Sequence, residues 1–315
     1  MTRTMRLMRQ TWLSERIIEL RLAPIDGEPL PGWTPGAHIT LHLPNGTSRE
    51  YSLCEGPAGD SEWTVAVLHE ANSRGGSAFV HRDLRVGALL DVDGPRNNFP
   101  LEPAEHVTLI AGGIGITPIK AMAEQLSGSG TEWSLLYCGH SRSTMAFLDD
   151  LCAIAGDRLS IHCDDERGGP PDLASVLAGR PPGGHVYCCG PEPMLAAVRD
   201  VLGDSPELHL ERFRAEPAES PDPAEESSFD VVCAGSGTRI AVPQHTSIVE
   251  ALEAAGVGVP TSCREGICGT CETKVLSGEP EHRDHVLSPA EKESAETILP
   301  CVSRCRSAEL VLDIS

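Results

Sequence analysis

Over the first hundred residues, apolar and polar positions alternate. IIELRL (17–22), HITLHL (38–43) and EWTVAVLHE (62–70) keep a period near two, the spacing of strands with one buried face. PNGT (44–47) sets Asn-Gly between HITLHL and REYSL, a hairpin signal. Short strands with Gly/Pro turns over 1–103 predict a small antiparallel β-barrel. From 104 to 213 the period changes. HVTLIAGG (106–113) is a continuous apolar run that ends in glycines. ITPIKAMAEQL (116–126) puts Ile116, Ile119, Met122, Ala123 and Leu126 on one helical face. WSLLYC (133–138), LSIHC (159–163), HVYCC (185–189) and ELHLERF (207–213) read as further strands, separated by helices such as TMAFLDDLCAI (144–154) and PMLAAVRDVL (193–202). That alternation predicts a doubly wound parallel α/β sheet.

RAEPAESPDPAEESS (214–228) has almost no apolar content and reads as an extended linker. Residues 229–315 return to short strands around one helix, SIVEALEAAG, with Ser247 and Glu250 placed for a capping box and Gly256 for its end. A multi-domain chain is expected, α/β plus β, as its 315 residues exceed one ordinary core.

Composition narrows the class of function. Apolar residues make up 40% of the chain, yet no run reaches the roughly 18 needed for a membrane span. The opening MTRTMRLMRQTWLSERIIEL lacks an apolar stretch of signal-peptide length, so the expected location is the cytoplasm. There, twelve cysteines are expected as buried thiols or metal ligands rather than disulfides. A net charge of −21 argues against nucleic acid or anionic membrane as partner and suits a basic protein partner, or simply a soluble surface.

Cys263, Cys268 and Cys271 in TSCREGICGTC, followed by Cys301, give C-x4-C-x2-C…C, the spacing of a plant-type [2Fe–2S] cluster. Gly266, Gly269 and Thr270 let the backbone turn its N–H groups toward the sulfurs. Zinc held by Cys268, Cys271, Cys301 and Cys305 is the alternative, and it leaves Cys263 unexplained. AGGIGITPIK (111–120) is a glycine turn between strand and helix: Gly112, Gly113 and Gly115 permit a close approach by a diphosphate. YCCGPEPM (187–194) ends a second strand at Cys189-Gly190-Pro191, so both strand ends point into one crevice, with Cys189 at its mouth and Cys188 in the core on the other side. SREYSL (48–53) and SRGGSAF (73–79) suit a flavin: Arg49 for phosphate, Tyr51 against the ribityl or ring, Ser52 for a ring edge, and Arg74, Gly75, Gly76 and Ser77 as a phosphate cradle.

In this order, R-x-Y-S, S-R-G-G-S, G-G-I-G-I-T-P, C-G-P-x-x-M and the cysteine set resemble the phthalate dioxygenase reductase family, with the vanillate O-demethylase reductases similar. The resemblance runs over essentially the whole chain and includes SGEPEHRDHVLS (277–288) and CVSR (301–304). It implies an FMN-binding barrel (1–103), an NAD(P)-binding domain (104–213), the linker (214–228) and a C-terminal β-grasp ferredoxin domain (229–315). It further implies that Arg49, Glu50, Tyr51 and Ser52 face FMN together with Val67, that Thr117 and Cys189 lie near the nicotinamide, and that Phe213 covers the flavin ring. Glu50 departs from the pattern, since a neutral side chain is common there. No acidic residue closes WSLLYC; Ser141 and Arg142 follow and suit the 2′-phosphate of NADPH, whereas the resemblance favours NADH. The implied activity passes electrons from NADH through FMN to the cluster and on to a terminal oxygenase, either Rieske-type or a cytochrome P450, from a monomer. A non-catalytic iron–sulfur or zinc interaction protein is the reading from another class.

Overall fold

The computed structural model describes residues 2–55, 61–203, 205–214 and 227–315. Most of the expected linker therefore lies outside the described residues. The chain divides into two compact units, Met1–Arg212 and Phe213–Ser315.

The first unit begins with strands β1 (Thr2–Ser14), β2 (Ile17–Pro24), β3 (Ala37–His42), β4 (Ser48–Ser52) and β5 (Trp63–Leu68), the short helix α1 (Gly76–Arg82) and strand β6 (Leu89–Asn97). The six strands form an antiparallel sheet in the order β4-β3-β6-β1-β2-β5. Its edges meet through a bridge between Leu53 and Val65, which curls the sheet toward a barrel. The Asn-Gly hairpin forms where the sequence put it: Gly46 takes φ +80 and Leu43 N–H donates to the Thr47 carbonyl at 2.8 Å. Met5, Leu7, Leu20, Ile39, Leu41, Val65 and Val92 fill the interior.

The chain continues through β7 (His106–Gly112), α2 (Ile116–Ser127), β8 (Glu132–Gly139), α3 (Leu148–Ala155), β9 (Leu159–Cys163), α4 (Asp164–Arg167), α5 (Leu173–Ala178), β10 (His185–Cys189), α6 (Glu192–Leu202) and β11 (Leu208–Glu211). These strands form a parallel sheet, β11-β10-β7-β8-β9. Two cores cover its faces. One contains Leu109, Ala111, Ile119, Met122, Tyr137, Leu151 and Cys189. The other contains Ile110, Leu136, Leu173, Leu177, Cys188 and Val198. The first of these also takes in Ile17, Cys54, Ala66 and Phe99 from the barrel, so the two sheets of this unit share apolar packing. Buried Lys120 adds a polar link, donating to the Cys54 carbonyl at 3.3 Å.

Helix α3 starts later than the sequence predicts. Residues 142–144 form a single 3-10 turn, and Phe147 sits at φ 60 before the helix begins at Leu148. A bulky residue in the left-handed region cannot continue a right-handed helix, so the break falls there.

The second unit holds β12 (Phe229–Cys233), β13 (Arg239–Val242), α7 (Ile248–Ala254), β14 (Thr273–Ser277), β15 (Pro280–Glu281), α8 (Pro289–Ser294), β16 (Thr297–Ile298), β17 (Arg304–Cys305) and β18 (Glu309–Leu312). A mixed sheet, β13-β12-β18-β14-β16, packs α7 against it in a β-grasp. The expected capping box forms: Ser247 Oγ accepts from Glu250 N–H at 3.2 Å, and Glu250 accepts from Ser247 N–H at 2.8 Å. Buried Arg304 donates to the carbonyls of Thr246, Ser227 and Pro243 at 2.6, 3.0 and 3.2 Å and lies over the Phe229 ring, which ties the start of this unit to its end.

Candidate functional site

Three local arrangements carry chemistry. In the second unit, Cys263, Cys268, Cys271 and Cys301 come together. The Cys301 sulfur lies close to those of Cys263 and Cys271, and Cys263 in turn to Cys268. Backbone N–H groups turn toward them: Glu265 donates to the Cys263 sulfur at 3.3 Å, with Ile267 also on Cys263 and Gly266 on Cys301. Arg264, Gly266 and Gly269 adopt φ of 57, 69 and 72, the left-handed turns that fold the loop back on itself. At Gly266 a Cβ would come within 2.6 Å of Val302, so only glycine fits the wrap. Four converging sulfurs with N–H donors on them fit the anionic [2Fe–2S] group. Cys305 stands apart, in the core with Ile240 and Leu310, its sulfur 3.1 Å from Ser307 Oγ. The zinc set that needs Cys305 is thus not the set the fold assembles.

Sequence reasoning gave Asp284 no role, although it supports this loop. Its buried carboxylate accepts from Val286 and Leu287 N–H at 3.0 and 2.8 Å, and His285 N–H donates to the Gly266 carbonyl at 2.9 Å. The Asx-type signal was present in HRDHVL, but nothing local showed that this turn braces a loop near residue 266.

In the first unit, the glycine turns after β7 and β10 lie directly against each other. A Cβ at Gly115 would fall 2.2 Å from the Cys189 carbonyl oxygen, and one at Gly112 2.6 Å from Pro191. A Cβ at Gly190 would stand 2.9 Å from the Met194 sulfur and 3.1 Å from Gly112. Gly113, at φ 54, faces open space. The turns leave backbone, not side chains, at the carboxyl ends of adjacent strands, which fits a diphosphate. Thr117 is buried at the start of α2, its hydroxyl donating to the Ile114 carbonyl at 3.0 Å. Cys189 and Cys188 point to opposite faces of the sheet, each buried. Burial, and then the neighbouring Glu211, raise the Cys189 thiol well above its ordinary range, so it stays neutral. Glu211 itself was not foreseen. Burial pushes its carboxyl up to about 8, against the hydrogen bond with Cys189, and its Oε2 is buried without a partner. The loop after β8 holds Ser141, whose side chain caps the following turn, and Arg142, paired with Glu166.

The flavin candidates are positioned by β4 and α1. Successive side chains on β4 alternate, so Arg49 and Tyr51 share one face while Glu50 and Ser52 share the other. The four side chains expected to face one ligand therefore split into two pairs. Arg49 donates to the Arg74 carbonyl at 2.9 Å and packs on Gly76, where a Cβ would lie 2.6 Å from its Cγ. This joins REYS to SRGG. Gly75 takes φ 93 to start α1, and Ser77 Oγ accepts from Glu70 N–H at 3.2 Å. The first amides of α1 lack intrahelical acceptors, and the Arg49 guanidinium is anchored beside them, a donor set suited to phosphate. Glu50 lies 3.8 Å from Arg96 across the sheet. Val67 is fully buried in the barrel core, and its carbonyl bonds to His81 Nε2 at 2.9 Å. Phe213 opens the second unit and is 39% exposed.

Comparison with known proteins accords with this geometry. Residues 231–306 match the 2Fe-2S iron-sulfur cluster binding domain. The phenoxybenzoate dioxygenase subunit beta of Ectopseudomonas oleovorans is 46% identical over 301 residues, 95% of this chain and 92% of that protein. The crystal structure of phthalate dioxygenase reductase, described as modular for electron transfer from pyridine nucleotides to [2Fe-2S], matches with a TM-score of 0.71 and 38% identity, covering 99% of this chain and 98% of that one. An intact type IV self-sufficient cytochrome P450 monooxygenase matches with a TM-score of 0.93 and 41% identity over 99% of this chain, which spans 41% of that longer protein. The fold and cofactor sites thus define a flavin iron–sulfur oxidoreductase. The chain belongs to the phthalate dioxygenase reductase family, NAD(P)H-dependent reductases of oxygenase systems, with a flavin, a nicotinamide coenzyme and a [2Fe–2S] cluster as cofactors.

Proposed function

We propose that this reductase takes electrons from NADH and delivers them to a separate Rieske-type aromatic oxygenase or O-demethylase. In this reading residues 1–103 bind FMN, 104–213 bind the coenzyme, 214–228 link the parts and 229–315 hold the cluster, in a cytoplasmic monomer. The observation that carries it is the pairing, in one chain, of two interlocked glycine turns at the ends of β7 and β10 with a four-sulfur loop lined by N–H donors. When bound, the coenzyme would supply a hydride, and the flavin and the cluster would supply the change from two-electron to one-electron transfer.

The chain's own residues bind and orient. The turns at Gly112–Gly115 and Gly190 receive the diphosphate of the coenzyme. Cys189, buried and kept neutral, holds its carbonyl against Gly115 at the floor of the crevice and needs no thiolate. Arg49, braced by the Arg74 carbonyl, and the amides of Gly75–Ser77 hold the flavin phosphate, with Tyr51 on the same face of β4 as Arg49. Cys263, Cys268, Cys271 and Cys301 ligate iron. No side chain has to act as acid, base or nucleophile.

The test is anaerobic titration with NADH, followed by mixing with candidate acceptors. Bleaching of both flavin and cluster absorbance, then turnover with a Rieske oxygenase, is expected. A protein that purifies with zinc and no flavin would sink the reading. The likeness to the P450 fusion favours a second acceptor class. Turnover with a P450 and none with any Rieske oxygenase would select it.

A further inference from the structure

The loop after β8 is where a doubly wound sheet reads the adenosine ribose, through an acid that binds the 2′-hydroxyl or a base that takes a 2′-phosphate. Here that loop offers a base, Arg142, and no acid. The acid arrives from the neighbouring strand end. Gly139 and Cys163 are paired at the carboxyl ends of β8 and β9, and Asp165 N–H donates to the His140 carbonyl at 3.0 Å, which sets α4 beside the loop. From α4, Glu166 meets Arg142 with both oxygens: Arg142 Nε donates to Oε1 at 2.7 Å and Nη2 to Oε2 at 3.4 Å. The hydrogen bond with Arg142 holds the Glu166 carboxyl below its usual range, so it is ionised at neutral pH. Asp164 and Asp165 precede it on the same turn and Arg167 follows. Ser141 is committed as well, its hydroxyl 3.0 Å from Ser143 Oγ within the cap of the 3-10 turn.

We propose that Glu166 is the residue that makes this enzyme choose NADH over NADPH: it occupies the fork of Arg142 and puts a carboxylate where the 2′-phosphate of NADPH would have to lie. The inference rests on the reductase reading above and adds the discriminating residue to it. Both partners are about half exposed, with side-chain exposures of 54% and 47%, so the pair contributes little to folding and its effect is on ligand choice. A planar guanidinium accepts a carboxylate or a phosphate on the same two N–H groups, but not both.

The experiment is anaerobic flavin reduction by NADH and by NADPH, read by absorbance, in wild type, Glu166→Gln, Glu166→Asp, Arg142→Ala and the Arg142→Ala/Glu166→Gln double variant. Wild type should prefer NADH. Glu166→Gln should raise the NADPH/NADH ratio of kcat/KM by about tenfold, the scale of one charge-assisted hydrogen bond. The shift should fall on KM for NADPH and shrink as salt is added. The double variant should lose that gain, and Glu166→Asp should keep the wild-type preference. A ratio moved less than about twofold by Glu166→Gln, or a gain that survives in the double variant, overturns the proposal while leaving the reductase reading intact. A wild type that prefers NADPH also overturns it. Reduction by neither coenzyme overturns the reductase reading itself.

Discussion

The crevice proposed for the coenzyme and the cysteine loop suit the same task, holding an anion, with opposite materials. At the ends of β7 and β10 the protein removes side chains: Gly112, Gly115 and Gly190 let two turns meet at distances no Cβ could tolerate. Around residues 263–271 it adds side chains, three thiols of the loop drawn together with that of Cys301, and uses glycine only to turn the backbone. A diphosphate needs many weak donors and close approach. Iron needs a few strong, fixed ligands. The first kind of site tolerates the loss of any one donor, whereas the second fails when one ligand is removed.

Removing a ligand is therefore the harshest test of that contrast. Cys301→Ser should abolish the cluster, seen as loss of iron and of its visible absorbance, while NADH still reduces the flavin. Cys305→Ser, made in the core of the same unit, should keep both. Equal loss of flavin reduction and cluster in Cys301→Ser would show that the two regions are not separable. Loss of the cluster in Cys305→Ser would return Cys305 to the ligand set.

A second difference is electrical. His38 lies buried on β3, across from Arg96 on β6, with its Nε2 unpartnered. Burial, helped by the Arg96 charge, lowers its pKa to about 4 from an ordinary 6.5. The folded state therefore binds fewer protons than the unfolded state between these values. Stability from this group is fully present above pH 6.5 and is lost as pH falls toward 4, by about 3 kcal/mol in all. His38→Gln should remove that pH dependence from flavin release on heating. Cluster bleaching, which reports the second unit, should keep its own pH profile. The same pH slope in wild type and variant would refute the assignment.

Much of this was legible from residue types and spacing. Alternation found β2, β3 and β5, Asn-Gly found its hairpin, and Ser247 and Glu250 found their cap, while the distant Cys301 comes to lie with the three loop cysteines. Strand β1 escaped because register shifts between Leu7 and Arg9 and between Trp12 and Ser14 break its period of two. The sequence pattern starts helix α3 too early because only the fold reveals the positive φ at Phe147. Glu166, Glu211 and the Asp284 turn escaped for a shared reason: each meets a partner 18 or more residues away, Arg142, Cys189 and Gly266, and chain spacing carries no trace of such pairs. Glu50 shows the limit of a motif, since the pleat turns it away from Arg49 and Tyr51, which flank it in REYS.

The smallest effect tests whether the crevice is defined by backbone contact. Gly115→Ala places a methyl group 2.2 Å from the Cys189 carbonyl oxygen, an atom of the opposite turn that cannot rotate away. The turns must separate, which should cost about 1–3 kcal/mol of stability in the first unit. Because the same movement widens the proposed diphosphate site, KM for NADH should rise more than kcat falls. Gly113→Ala is the matched control: its methyl group meets nothing within 4 Å, but φ +54 strains any L-residue by about 1–2 kcal/mol. Similar melting points with a KM defect only in Gly115→Ala would locate the requirement in the contact between the turns. A KM defect of equal size in both would locate it in the backbone conformation instead.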